Sequence, residues 1–134
     1  MSGSVAYLDS SAFVKLVVAE AESEQLQSEL VRWPRQASAD LLRTEVQRAL
    51  RRAGRVDLVG PARRLTATLD LIRLDSPLLD RAGELEPSAL RSLGAVHLAA
   101  ALTLGPDLGA LFTYDDRLRE AATLAGMDVR SPGA

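Results

Sequence analysis

Cysteine is absent from this chain of 134 residues, which removes disulfides, thiolate zinc sites and cysteine nucleophiles together. Histidine is nearly absent: His97 stands alone, so neither a histidine-rich metal site nor a Ser-His-Asp triad with a spare base is expected. Lysine occurs once, at Lys15, and the other fifteen of the sixteen basic residues are arginine. No apolar stretch suits a membrane span. Residues 95–104 are the most apolar, but they are too few and contain His97. Asp9 interrupts the first apolar run early, which argues against a leader segment. These absences point to a cytoplasmic protein with no membrane association.

What is present suffices for one core. A hydrophobic content of 47% over this length predicts one domain, taken as residues 1–131 with a short tail at 132–134. The net charge of −2 conceals an uneven layout. Arg43, Arg48, Arg51, Arg52 and further arginines to Arg64 share a stretch whose only acids are Glu45 and Asp57, while Glu20, Glu22, Glu24 and Glu29 cluster earlier. These are two solvated helix faces, or the basic one is a phosphate-facing surface hidden by the neutral total.

Apolar runs and helical spacings alternate along the chain. Residues 4–8 read as a buried strand, with Ser10 or Ser11 capping the helix that follows. A second helix covers residues 21–32, and residues 36–39 form a second strand. Asp40 is placed to cap a helix through residue 53, closed by Gly54. Residues 57–69 read as helical, 71–75 as a third strand and 77–85 as helical. Ser92 is placed to cap a helix over 93–104. A fourth strand at 110–113, a helix at 115–125 and a fifth strand at 127–129 complete the pattern. Alternating strands and helices predict an α/β fold, a parallel sheet of four to five strands covered on both faces. Ligands bind such sheets beyond the carboxyl ends of the strands. Asp9, Asp75 and Asp115 all fall there.

Converging carboxylates suit magnesium or manganese, which prefer hard oxygen ligands and support in-line attack on phosphodiesters. Glu45, one turn into its helix, is placed to point back to the same crevice. Ser11 and Thr113 suit hydrogen bonds that hold the carboxylates in place. Each residue also has a plainer reading. Asp9, Asp75 and Asp115 can cap helices, Glu45 can be a surface residue, and His97 a helix residue with a satisfied hydrogen bond.

The order and spacing of several motifs resemble a known family. They are Tyr7-Leu8-Asp9-Ser10-Ser11-Ala12, Leu42-Arg43-Thr44-Glu45-Val46, Arg48-Ala49-Leu50, Leu90-Arg91-Ser92-Leu93, Ala95-Val96-His97-Leu98, Thr113-Tyr114-Asp115 and Ser131-Pro132-Gly133. Over nearly the whole chain this is similar to the PIN-domain ribonucleases, specifically the VapC-like toxins of VapBC toxin–antitoxin pairs. The resemblance implies an α/β/α sandwich, an endoribonuclease site using Mg²⁺ or Mn²⁺, RNA as substrate, a VapB-like antitoxin and a homodimer. It places the catalytic and metal-holding acids at Asp9, Glu45 and Asp115, with Ser11 and Thr113 in support. It places a further acid where this chain has Gly94, so weakened metal binding and a slowed or absent reaction are expected. Asp116 is a substitute or accessory candidate, and Arg43, Arg48, Arg51 and Arg52 are candidates for RNA or antitoxin contact. An inactive PIN protein that binds antitoxin or RNA without cutting is the alternative.

Other phosphate-handling classes fit less well. A response-regulator receiver needs paired acids after the first strand and a late lysine, and this chain has neither. A haloacid-dehalogenase-type phosphatase needs an aspartate where Ser11 stands. A dinucleotide binder needs a glycine-rich turn after the first strand, and none is present.

Overall fold

The computed structural model describes residues 2–134; Met1, the first residue of the predicted domain, lies outside the described residues. Five strands form one parallel sheet in the order β3-β2-β1-β4-β5: β1 (Val5–Leu8), β2 (Arg35–Ala39), β3 (Asp70–Ile72), β4 (Leu108–Phe112) and β5 (Val129–Arg130). Seven α-helices cover it: α1 (Ser10–Val17), α2 (Ser23–Leu30), α3 (Leu42–Arg52), α4 (Val59–Thr66), α5 (Ser76–Gly83), α6 (Ser92–Leu102) and α7 (Asp116–Leu124). Among the described residues no helix is long and apolar enough to cross a membrane.

The central strand explains the sandwich. All four residues of β1 are fully buried, and successive side chains enter opposite layers. Val5 and Tyr7 pack with Leu98, Ala99 and Leu118 on the α5–α7 side. Ala6 and Leu8 pack with Ala12, Leu26 and Leu30 on the α1–α2 side. A strand covered on both faces reads as a continuous apolar run rather than an alternation. A third cluster, built on Phe13, Leu42, Val46 and Leu50, ties α1 to α3 and α4. In α6, Ala95, Ala99, Ala100 and Ala101 are all buried and belong to the same cluster as Val5 and Tyr7.

The β1–β4 register slips once. Val5 pairs with Leu108, but Ala6 pairs with Ala110, leaving Gly109 as the surplus residue of a β-bulge. A side chain there has no room, because a Cβ on Gly109 would lie 2.2 Å from the Trp33 ring and 2.3 Å from the Gly3 carbonyl oxygen.

Several boundaries differ from expectation. Asp9, not Ser10 or Ser11, caps α1 with its side chain, and Asp75 caps α5 as the plainer reading had it. Asp40 does not cap α3 through its side chain: its N–H bonds Ile72 O across the strand ends, and Leu41 takes the cap position. Arg91 has the extended cap conformation, so Ser92 is already inside α6, and no side chain caps that helix. The third strand starts at Asp70 and stops at Ile72. The segment expected to be one helix from residue 57 opens with a 3-10 turn, Val56–Leu58, ahead of α4. Gly54, with φ +70°, closes α3 as expected, and Arg55 N–H returns to Leu50 O at 2.8 Å.

Candidate functional site

Strands β2 and β3 run off one side of β1, and β4 and β5 off the other. The order therefore reverses between β1 and β4, where an open α/β sheet forms its ligand crevice. Asp9 follows β1 directly, and Thr113 follows β4.

Asp9 is 4% exposed, and its carboxylate is held by three donors. Oδ1 accepts from Ala12 N–H at 3.0 Å and from Ser11 Oγ at 2.7 Å, and Oδ2 accepts from Thr113 Oγ1 at 2.6 Å. Both hydroxyls are fixed from behind. Ser11 Oγ accepts from Tyr114 N–H at 2.9 Å, and Thr113 Oγ1 accepts from Asp115 N–H at 3.0 Å. Asp115 in turn caps α7, with Oδ1 accepting from Arg117 and Leu118 N–H at 2.9 and 3.1 Å. Asp9 and Asp115 are thus caps and site candidates at once. Burial pushes the Asp9 carboxyl above the usual carboxylate range, while the three hydrogen-bond donors pull against that shift.

Glu45 enters from α3, half-buried, and its Oε1 lies 2.7 Å from Nε2 of His97 on α6. His97 is 2% exposed, and its Nδ1 lies 2.7 Å from the Tyr7 hydroxyl. Burial, with the Asp9 charge adding to it, raises the Tyr7 phenol well above its ordinary value. Sequence reasoning passed over Tyr7 and gave His97 no partner. A usable signal existed: a phenol buried in an apolar strand must find a hydrogen-bond partner.

The remaining candidates divide. Gly94 lies in the first turn of α6, half-buried, one helical turn before His97. A Cβ there would meet Leu90 Cδ1 at 2.9 Å, the movable end of a flexible side chain. Asp116 begins α7 beside Asp115. Its side chain is 88% exposed and bound to Arg119 Nη1 at 2.6 Å. Arg48 and Arg52 share a cleft of about 520 Å³ with Ser11, Glu45 and Leu93. Arg43 instead borders a smaller groove of about 230 Å³ with Arg63, and Arg51 is exposed. Among the described residues Arg48, Arg51 and Arg52 have no carboxylate partner, and Arg43 reaches only Asp40, at 3.9 Å.

The donors suit a hard cation. A buried carboxylate that burial makes costly to ionise gains from positive charge beside it. Asp115 and Glu45 are each held through one oxygen, and no hydrogen bond among the described residues reaches the other. No three His, Asp or Glu side chains among the described residues already gather into a metal cage. Magnesium does not require one, since it commonly keeps waters and takes one or two carboxylates plus substrate phosphates. Asp9, Asp115 and Glu45 are the residues that could hold it.

Comparison with known proteins agrees with the geometry. The PIN domain family matches residues 6–124. Ribonuclease VapC46 of Mycobacterium tuberculosis is 54% identical over 127 residues, covering 94% of this chain and 96% of that protein. Ribonuclease VapC47 of the same species is 37% identical over 132 residues, covering 96% and 97%. The crystal structure of Mycobacterium tuberculosis VapC20, a sarcin-ricin loop cleaving toxin, superposes with a TM-score of 0.74 over 91% of this chain and 95% of that one. At 15% identity that likeness speaks for the fold alone.

Proposed function

This chain belongs to the PIN-domain family, among the VapC-like ribonuclease toxins, and from that premise we propose that its crevice is a divalent-metal-dependent endoribonuclease site weakened by Gly94. The observation that carries the reading is the cross-linked set Asp9, Ser11, Thr113 and Asp115 at the reversal point of the sheet. Ser11 and Thr113 fix the Asp9 carboxylate, and the α7 N-terminus fixes that of Asp115. Together they present negative charge where Mg²⁺ or Mn²⁺ and an RNA phosphate would meet. When bound, the cation supplies Lewis acidity at the phosphate oxygens and acidifies a nearby water.

Glu45 stands on the opposite wall as the third carboxylate. Arg48 lies one turn beyond it and Arg52 one turn further, along the cleft. With no carboxylate partner among the described residues, these two arginines suit phosphates on either side of the bond to be cut. Arg43 and Arg51 are left for outlying RNA or for the antitoxin. Accessible scissile bonds in RNA lie in single-stranded loops. The family setting further supplies a VapB-like antitoxin, a homodimer, a cytoplasmic location and one PIN domain ending near residue 131.

A second reading is favoured by one feature. Gly94 stands where the family resemblance implies a carboxylate, in the first turn of α6, a helix with no acid in that turn and no side-chain cap among the described residues. A chain so altered can bind RNA or antitoxin without cutting. The two readings separate when the protein is compared with Gly94→Asp for Mn²⁺ binding and for cleavage of total cellular RNA. The weakened-nuclease reading expects slow cleavage that rises in Gly94→Asp. Equal cleavage by both proteins shows that residue 94 is not a ligand position. Absence of cleavage by both, with either metal, overturns the nuclease reading.

A further inference from the structure

Three buried or half-buried side chains from three elements meet behind the crevice: Tyr7 of β1, His97 of α6 and Glu45 of α3. Two contacts of 2.7 Å join them, hydroxyl to Nδ1 and Nε2 to Oε1. The Tyr7 and His97 rings meet edge to face, with centroids 5.8 Å apart and planes at 74°. Such packing leaves the imidazole little freedom to turn.

The direction of the hydrogen bonds depends on the tautomer of His97, and one tautomer satisfies all three groups. An ionised carboxylate only accepts, so Nε2–H donates to Glu45 Oε1. A neutral imidazole with its proton on Nε2 leaves Nδ1 as an acceptor, and the Tyr7 hydroxyl donates to it. Every bond then runs the same way, from strand to helix to helix. No buried side-chain nitrogen or oxygen among the described residues lacks a partner, so the chain closes without a leftover group.

We propose that Tyr7 and His97 form a positioning relay for Glu45, in which Tyr7 sets the tautomer of His97 and His97 holds Oε1, leaving Oε2 for the crevice. The proposal rests on the reading of Glu45 as a site carboxylate and says what keeps it there. Its neighbourhood gives it little other support. No side-chain cap of α3 appears among the described residues, and the first turn of α6 holds no acid. On the other wall two hydroxyls and backbone N–H groups orient Asp9 and Asp115. Here one imidazole does the equivalent work for Glu45, as a partner behind a metal-holding carboxylate does. Tyr7 also joins the two walls, standing two residues before Asp9 on the same strand.

His97 is the only histidine of the chain, so its ring nitrogens give one unambiguous set of ¹⁵N resonances. In metal-free, imidazole-labelled protein the relay requires a protonated Nε2 and a bare Nδ1. Tyr7→Phe removes only the hydroxyl and is expected to shift the Nδ1 resonance and admit the other tautomer. A protonated Nδ1 with a bare Nε2 in the parent protein overturns the proposal, and that measurement needs neither metal nor RNA. Mn²⁺ affinity gives the second readout. His97→Ala is expected to weaken it about tenfold or more, the usual effect of losing a partner behind a ligand. His97→Gln, whose amide can still donate to Oε1, is expected to recover most of that loss. Equal Mn²⁺ affinity of His97→Ala and parent overturns the relay; so does failure of folded His97→Gln to improve on His97→Ala. If the parent binds no Mn²⁺, the metal reading of the crevice fails and the tautomer alone decides the relay.

Discussion

On the β1–β4 wall of the crevice Asp9, Ser11, Thr113 and Asp115 grip one another, whereas on the α3–α6 wall Arg48 and Arg52 have no carboxylate partner among the described residues. Asp9, Ser11, Thr113 and Asp115 are joined by hydrogen bonds to each other and to backbone N–H groups. Across the gap, α3 and α6 show no side-chain cap among the described residues, Gly94 contributes no side chain, and Arg48 and Arg52 line the cleft with no carboxylate partner among the described residues. The exception is Glu45, anchored through His97. One wall is thus set before anything binds. The other keeps unpaired arginines among the described residues, so on the proposed function changes on the first should act on chemistry and stability, and changes on the second on binding.

The largest expected effect falls on the fixed wall. In a Gly94→Asp background Asp9→Asn should abolish cleavage of total RNA, and surviving activity would break the contrast between the walls. The same substitution has a stability signature. Burial raises the folded-state value of Asp9 above its ordinary one. Between those two values the folded state holds more protons than the unfolded, so the Asp9 contribution to stability falls as pH rises through that window. Denaturation in chelator at several pH values should therefore show the parent losing ground to Asp9→Asn as pH rises there. Parallel curves would remove the burial argument.

On the open wall, Gly94→Asp should tighten Mn²⁺ about tenfold or more, equal to about 1.4 kcal/mol, read by calorimetry. The backbone there tolerates the change, since only Leu90 must move, and a charge in the first turn of α6 suits the helix dipole. Thr113→Val tests the fixed wall more gently. It removes a donor from Asp9 and an acceptor from Asp115 N–H, with an expected cost of about 1–3 kcal/mol in urea unfolding.

Replacing both Arg48 and Arg52 by alanine should leave unfolding unchanged. It should flatten the salt dependence of binding to a labelled single-stranded RNA by about 1.4 in log–log slope, roughly 0.7 per phosphate contact. Arg43→Ala with Arg51→Ala is the matched control, and an equal loss there would erase the distinction between the cleft and the outer face. The smallest effect belongs to Asp116→Ala. Its exposed pair with Arg119 should contribute within about 0.5 kcal/mol, and a large change in Mn²⁺ affinity would bring Asp116 back into the site.

The fixed wall was largely legible in the sequence, because its logic is local. An acid that ends an apolar run and opens a helical spacing is placed to cap, and Asp9, Asp75 and Asp115 all cap their helices, although only Asp9 directly follows its strand. The parallel sheet was legible for the same reason. The cap reading failed at Asp40 and Ser92, where tertiary structure intervened: Asp40 N–H is drawn to the end of β3, and Arg91 already turns the chain into α6. The open wall was less legible because its order is distant. Tyr7 and His97 meet across 90 positions of sequence, and no local pattern announces that pairing. The four arginines looked alike as a run, yet helical phase sends Arg48 and Arg52 toward Glu45 and Arg43 toward Arg63.

The bulge at Gly109 lies at the far end of β4 from all of this chemistry, yet it sets the phase of the fixed wall. Side chains along a strand alternate with a period of two, so one surplus residue inverts the facing of all that follow. With the slip, Tyr7 matches Leu111 and Leu8 matches Phe112, and continuing that count brings Thr113 level with Asp9. Without it, Phe112 would come level with Asp9, and the hydroxyl that grips its carboxylate would fall out of step. A residue with no side chain, wedged against Trp33, acts as the timing notch of the strand.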